Sequence, residues 1–318
     1  MLTEKDIVTV NDRGGERGFD FQRVRVDDAD VPGTFAVLGQ ATNRITPLGL
    51  TYRVALLSRR RTDSLVVDIK QWPQGIWADP KTAIGRAAWY SFAFFLRVAA
   101  ADLLDADTLE LDAGFRTFPR DERPAAQAFL CDKLENGAGY CTRLAEPNQF
   151  ARLLAQADLA VQGSIAAKWL ADGHMRDCDT SCNLCLRDFY NMPYHGLLDW
   201  RLGLDMARLA ATGQAPDMTA AWGSLPNPWG RLIDLLPTIL KRLEYDTDHP
   251  LTFGPLQGYV RPHNRPVQVR VLLVRHPLWT DHHLAYQQAL NTAQRQYSQA
   301  QISHLNPFLA IRRPADYA

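Results

Sequence analysis

Three of this chain's cysteines crowd into eight residues, Cys178-Asp-Thr-Ser-Cys182-Asn-Leu-Cys185, and all five lie between Cys131 and Cys185. Thiolates two or three residues apart reach one ion from a single tight turn, and zinc takes four tetrahedral ligands. The segment is therefore expected to fold as a knuckle around Zn2+, with a fourth ligand from elsewhere. Cys141, Cys131, His174 and His195 are the candidates. Cys141 is the expected one, because it follows the loop Gly137-Ala-Gly139-Tyr140, where glycines let the backbone approach closely. The alternative is a set of buried thiols without metal. A closed, sulfur-rich site points to a structural rather than a catalytic ion. An odd number of cysteines with three so close is not a secreted disulfide framework; it fits a reducing compartment.

The rest of the composition narrows the class. With 318 residues the chain has room for two or three domains. Hydrophobic residues at 46% and charged residues at 22% are a globular composition. Lys plus Arg and Asp plus Glu each number 35, and zero net charge excludes a strongly basic DNA-coating protein while leaving room for a local basic stripe. The apolar run from Ala87 to Ala101 is broken by Arg97 and flanked by Arg86 and Asp102, too interrupted to span a bilayer. The N-terminus shows no basic region followed by an apolar segment, so a cytoplasmic protein without a membrane partner is expected.

Periodicity gives an α+β protein with a β-rich N-terminal region (1–78), a mostly helical zinc-binding core (79–212), a Pro/Gly-rich linker (213–230) and a small α/β C-terminal unit (231–318). Short apolar runs at 7–10, 35–38, 52–57 and 64–69 read as strands, with turns at Asn11–Gly15 and Val31–Gly33. Ala83, Ala87, Tyr90, Phe94 and Val98 recur at helical spacing in a segment apolar nearly all round, which predicts a buried central helix. Strands are expected at 108–112, 126–130 and 268–274, and an exposed loop at 115–124. Helices are expected at 145–160, 165–170, 197–211, 232–243 and 281–300.

Several further groups carry chemistry. Arg187, Asp188, Asn191, His195 and Asp199 fall at intervals of one, three and four after the cysteines. They are expected to orient the metal knuckle and cap a helix, or, with Arg201, to contact nucleic-acid phosphates. Arg59, Arg60 and Arg61 form the densest basic run, with Arg44 and Arg53 nearby, and offer a salt-sensitive DNA contact. Trp72, Trp77, Trp222 and Trp229 flank prolines and could stack on bases or pack on a neighbour. His276, His282 and His283 could serve a metal-dependent nuclease or hydrolase in the C-terminal unit. No G-x-x-x-x-G-K-[ST], G-x-S-x-G or H-E-x-x-H occurs, so no catalytic residue is assigned, and any ATPase must be another chain or another part of a split or truncated helicase.

Asp132-Lys-Leu-Glu-Asn-Gly-Ala-Gly-Tyr140, the cysteine segment running on into Leu186-Arg-Asp188, and His195-Gly-Leu-Leu-Asp199 together resemble the MrfA-type zinc-binding (MZB) domain family. That family forms the C-terminal or accessory domain of bacterial superfamily 2 helicases and of anti-phage defence subunits of the DISARM and Druantia kinds. The resemblance covers residues 45–211, with the cysteine segment its specific part. Cys178, Cys182 and Cys185 match the family's last three zinc cysteines, and Arg176 stands where many members have a further one. The resemblance implies a zinc-stabilised, non-catalytic accessory subunit beside a superfamily 2 helicase or translocase, with DNA as a further partner. A pure protein-interaction scaffold is the alternative from another class.

Overall fold

Helix α1 (Ala83–Leu104) is the chain's central element because its sequence has almost no polar face. Thr82 caps its start by accepting from the Gly85 N–H, and Asp105 in the left-handed region ends it. Gly85 has no room for a side chain, since a Cβ there would stand 1.7 Å from the Asp79 carbonyl oxygen. Among the described residues α1 is the one helix long and apolar enough to cross a bilayer, yet 72% of its most apolar window is buried inside the protein. Its apolarity is used in the core.

The structure, a computed structural model, describes residues 2–11, 19–27, 29, 32, 35–37, 44–120, 123–218, 227–261 and 269–318. Most of the expected turn at 11–15, much of that at 31–33, Trp222 and the middle of the expected linker lie outside them. The chain is α+β and divides into two units. The smaller holds residues 4–62 and 134–137. It contains β1 (Leu2–Asn11), β2 (Phe19–Val26), β3 (Phe35–Val37), β4 (Ile45–Val54) and the first half of β5 (Leu56–Val67). An antiparallel sheet runs in the order β3-β2-β4, and alternation along β2 buries Gln22 and Val24.

In the larger unit, Ser64–Val67 of β5 pairs with β7 (Arg123–Asp132), which in turn pairs with β6 (Leu111–Arg120). The β6–β7 ladder continues to Arg120 opposite Arg123, so the loop expected at 115–124 is a hairpin. Its Pro and Arg residues looked loop-like, but Ala125, Ala126 and Ala128 on β7 are buried and hold the ladder together. The strand expected from 108 begins only at Leu111, because Asp107 caps a 3-10 turn over Thr108–Glu110. Short helices follow: α2 (Tyr140–Leu144), α3 (Pro147–Ala155), α4 (Ile165–Trp169) and α5 (Asp172–Asp177). Helix α6 (Trp200–Thr212) then packs on α1. Gly203 makes that crossing close, since a Cβ there would lie 2.9 Å from the Ser91 carbonyl oxygen.

After α7 (Gly230–Lys241), strands β8 (Asp246–Phe253), β9 (Leu256–Arg261) and β10 (Arg270–Val274) form an antiparallel run. Helix α8 (Leu284–Gln296) crosses over to β11 (Gln301–Leu305), which pairs parallel to β10, and α9 (Pro307–Ala310) follows. The β8–β9 hairpin and β11 add to the expected elements; Asp-Thr-Asp-His-Pro in β8 and Gln-Ile-Ser-His in β11 are rich in polar residues that seldom mark a strand. The buried side chains from Leu65 to Ala310 form one continuous hydrophobic cluster. Pro216 and Met218, in the stretch read as a linker, are buried.

Candidate metal centre

Helix α5 is short, and it ends at Cys178 with the Cys178 N–H donating to the His174 carbonyl at 2.9 Å. Residues four apart share a helix face, so His174 and Cys178 point the same way. The chain then returns through a turn in which the Cys185 and Arg187 N–H groups both donate to the Cys182 carbonyl, at 3.1 and 3.0 Å. The Cys182 N–H donates to Cys185 Sγ at 3.0 Å. The result is a set of four ligand atoms, from His174, Cys178, Cys182 and Cys185, all within 4.8 Å of one another.

The donor set suits zinc on two counts. Cys178 Sγ and Cys185 Sγ are 3.9 Å apart, close to the edge of about 3.8 Å that a tetrahedron with Zn–S bonds of ~2.3 Å requires. His174 Nδ1 lies 2.8 Å from the Trp169 carbonyl, which fixes its proton there and leaves Nε2 as the lone pair. That Nε2 is buried and makes no hydrogen bond. A buried ring nitrogen held this way needs a partner, and the three sulfurs surround it.

The electrostatics agree. The Cys178 thiol is pushed down to about 4, first by its hydrogen bond with Cys185 and then by His174. Cys185 and Cys182 move the other way, raised by burial and by the charge on Cys178. Three sulfurs this close share one negative charge until a cation allows more.

Cys141, expected at the fourth position, is not part of this cluster, in which His174 stands beside the three thiols. Cys141 lies in the first turn of α2, and its N–H and those of Ala138 and Tyr140 all donate to Asp132, at 3.0, 2.7 and 3.1 Å. Burial pushes its thiol up and contact with Asp132 adds to this, so it stays protonated. Cys131 is buried on β7 and also outside the cluster. His195 Nε2 is occupied by Asn191 Oδ1 at 2.8 Å and the Asp188 carbonyl at 3.0 Å. His174 was among the candidates but ranked below Cys141; the signal that favours it is His-x-x-x-Cys at a helix end.

The residues after the knuckle hold it in place. Arg187 reaches back to Ser181 Oγ at 2.8 Å and Thr180 Oγ1 at 3.3 Å. Asp188 accepts the Tyr190 and Asn191 N–H groups and pairs with Arg97, the one buried charged residue of α1. Asn191 Nδ2 donates to the Leu186 carbonyl at 2.8 Å. Asp199 caps α6 by accepting from the Arg201 N–H, and it faces the guanidinium groups of Arg201 and Arg312. Arg201 is fully buried and donates to the carbonyls of Asp179, Cys178 and Pro228. It is therefore a brace for the knuckle and is closed to phosphates. Four large apolar side chains beside these braces face solvent: Leu184 at 83%, Phe189 at 73%, Tyr190 at 63% and Met192 at 53% exposure.

The remaining groups are placed elsewhere. Arg59, Arg60 and Arg61 lie on β5, and each has an interaction partner. Arg44 pairs with Asp27 and Arg53 with Asp20. His276 is sealed in the core, with Nε2 3.0 Å from Asp205 Oδ2 and Nδ1 accepting the Leu278 N–H. Trp229 donates to the same Asp205 oxygen at 2.9 Å, so it serves packing.

No family model matches the chain. It is similar to the Druantia protein DruE of Escherichia coli (strain UMEA 4076-1), with 35% identity over 133 residues, 41% of this chain and 6% of that protein. The chain thus spans only a small part of that relative's length. Among solved structures it overlaps with the crystal structure of the DUF1998 helicase MrfA bound to DNA, over 67% of this chain and 25% of that one, with a TM-score of 0.33 and 11% identity.

Proposed function

We propose that this chain is a non-catalytic, zinc-binding accessory unit of a bacterial superfamily 2 helicase or translocase. In this reading it serves anti-phage defence in the cytoplasm, docks to the motor and contacts DNA. The observation that carries the zinc is the buried, unbonded His174 Nε2 facing three thiols. Zinc bound there would supply folding free energy, joining the end of α5 to the 182–185 turn. The chain's own residues do the rest: Trp169 orients His174, Arg201 holds the knuckle backbone, Arg187 holds the Ser181 and Thr180 hydroxyls, and Arg97 anchors Asp188. So braced, the knuckle presents Leu184, Phe189, Tyr190 and Met192 outward, and exposed apolar groups on a rigid support suit a protein interface. The similarity to the Druantia protein supports the defence setting.

Metal analysis of the purified chain tests the ligand set. One zinc per chain is expected in wild type, lost or weakened in His174→Ala and retained in Cys141→Ala. A metal-free wild type, or the reverse pattern in the two variants, overturns it. Leu184→Ser with Phe189→Ser should keep the zinc and lose co-elution with the helicase subunit. Unchanged co-elution would remove the knuckle tip from the interface.

A further inference from the structure

A second site lies away from the knuckle, in an open cavity of about 680 Å³ lined by Trp72, Gln74, Trp77, Asp79, Arg123 and His282, among others. Its walls are fixed. The Trp77 N–H donates to the Leu278 carbonyl at 2.9 Å and the Thr280 N–H to the Gly75 carbonyl at 2.8 Å, clamping the 72–79 segment to the turn before α8. Gly75 adopts φ +78°, and a Cβ there would stand 2.4 Å from His283 Cα, so the two backbones touch. Trp72 meets Trp77 at 4.9 Å between ring centroids and rests edge-on against Trp89 of α1.

The polar groups are uneven in kind. The indole N–H groups of Trp72 and Trp77, the Arg123 guanidinium, the Gln74 amide and the His282 ring have no partner among the described residues. Among the described residues Asp79 is the only carboxylate lining the cavity, and it already accepts the Lys81 N–H at 2.9 Å. Donors and a cation therefore outnumber acceptors beside two aromatic faces. The matching ligand is rich in acceptors, anionic, and flat enough to lie on an indole. A nucleotide has all three properties: a planar base and a phosphate with only acceptor oxygens. Duplex bases are covered by one another, so the ligand must offer unstacked ones. The tilt of 58° between the indoles leaves no slot between them, which places a base on the outer face of one ring.

We propose that the Trp72–Trp77 cavity binds single-stranded nucleic acid, stacking a base on the indoles and holding the adjoining phosphate with Arg123. This deepens the reading above by naming where and in what form DNA is contacted, and it rests on that reading for the choice of a strand over a free nucleotide. The test is fluorescence anisotropy of a labelled dT12 with the full zinc-loaded chain. Trp77→Ala and Arg123→Gln are the variants, since Trp72 packs against the core. Each should weaken binding about tenfold, in line with the loss of one stacked base or one phosphate contact. Arg123→Gln should also lower the slope of log K against log salt by about 0.7. Zinc content and helicase co-elution should not change in either variant, which separates failure here from failure of the function proposed above. Wild-type affinity in both variants overturns the site. Equal binding of a 12-base-pair duplex, displacement by dTMP at matching nucleotide concentration, or binding of a proline-rich peptide in place of dT12 overturns the single-strand assignment.

Discussion

Asp199→Asn probes the brace behind the metal knuckle while keeping the side chain's size. Asp199 is fully buried and faces Arg201, also fully buried, and Arg312, whose side chain is 16% exposed. Burial acts against both ends, pushing the Asp199 carboxyl up and the Arg312 guanidinium down, so each charge is kept mainly by the other. Removing one member of a buried pair costs about 3–5 kcal/mol, because the survivor stays out of water uncompensated. Arg201 would still reach the carbonyls of Asp179, Cys178 and Pro228, which places Asp199→Asn near the lower end, about 3 kcal/mol. Asp199→Ala also removes the cap of α6, adding about 1 kcal/mol. Urea unfolding followed by tryptophan fluorescence, at fixed free zinc, measures both. Arg201 holds the backbone of Cys178, so both variants should also release zinc to a chelator faster. A loss below about 1 kcal/mol for Asp199→Asn would refute the reasoning, since the carboxylate would then be doing little that a neutral amide cannot.

Two further outcomes follow from packing and titration. Gly203→Ala should lower stability by about 1–2 kcal/mol, because the new Cβ meets the Ser91 carbonyl at 2.9 Å and its overpacking outweighs the gain in helix propensity; a thermal shift upward would show that α1 and α6 can move apart freely. His304 is pushed down to about 4, first by burial and then by Arg275. The unfolded chain therefore binds the extra proton between about pH 6.5 and 4. Its contribution is complete above pH 6.5 and is lost as the pH falls toward 4. The fall should be shallower in His304→Gln, and superimposable urea midpoints across that range would refute it.

The knuckle was legible because its information is local. Three thiolates spaced for one turn need no distant partner to announce themselves, and α1 declared its burial through the absence of a polar face. The helix period also carried α6 and α7, whose observed ends fall close to those expected. The outer half of the β6–β7 hairpin, read as a loop at 115–124, and the β8–β9 pair were not legible. Their strand residues include Pro, Arg, Asp and His, and only pairing with the next strand of the hairpin makes such residues extended.

The sequence by itself determined that this chain would gather three cysteines at one turn, in a set fit to hold a metal, and build around one apolar helix. Tertiary structure alone decided which side chain stands beside the three thiols. Cys141 had the matching chemistry, but Asp132 holds its turn elsewhere, while the Trp169 carbonyl turns His174 toward the sulfurs. Tertiary structure likewise made Arg97 the counter-charge of Asp188, buried Arg201 as a brace, and brought Arg123 beside Trp72 and Trp77. The physical reason is common to all of these. A side chain's chemistry is set by its type, but its partner is set by which backbones the core brings within reach, and that distance is not written along the chain.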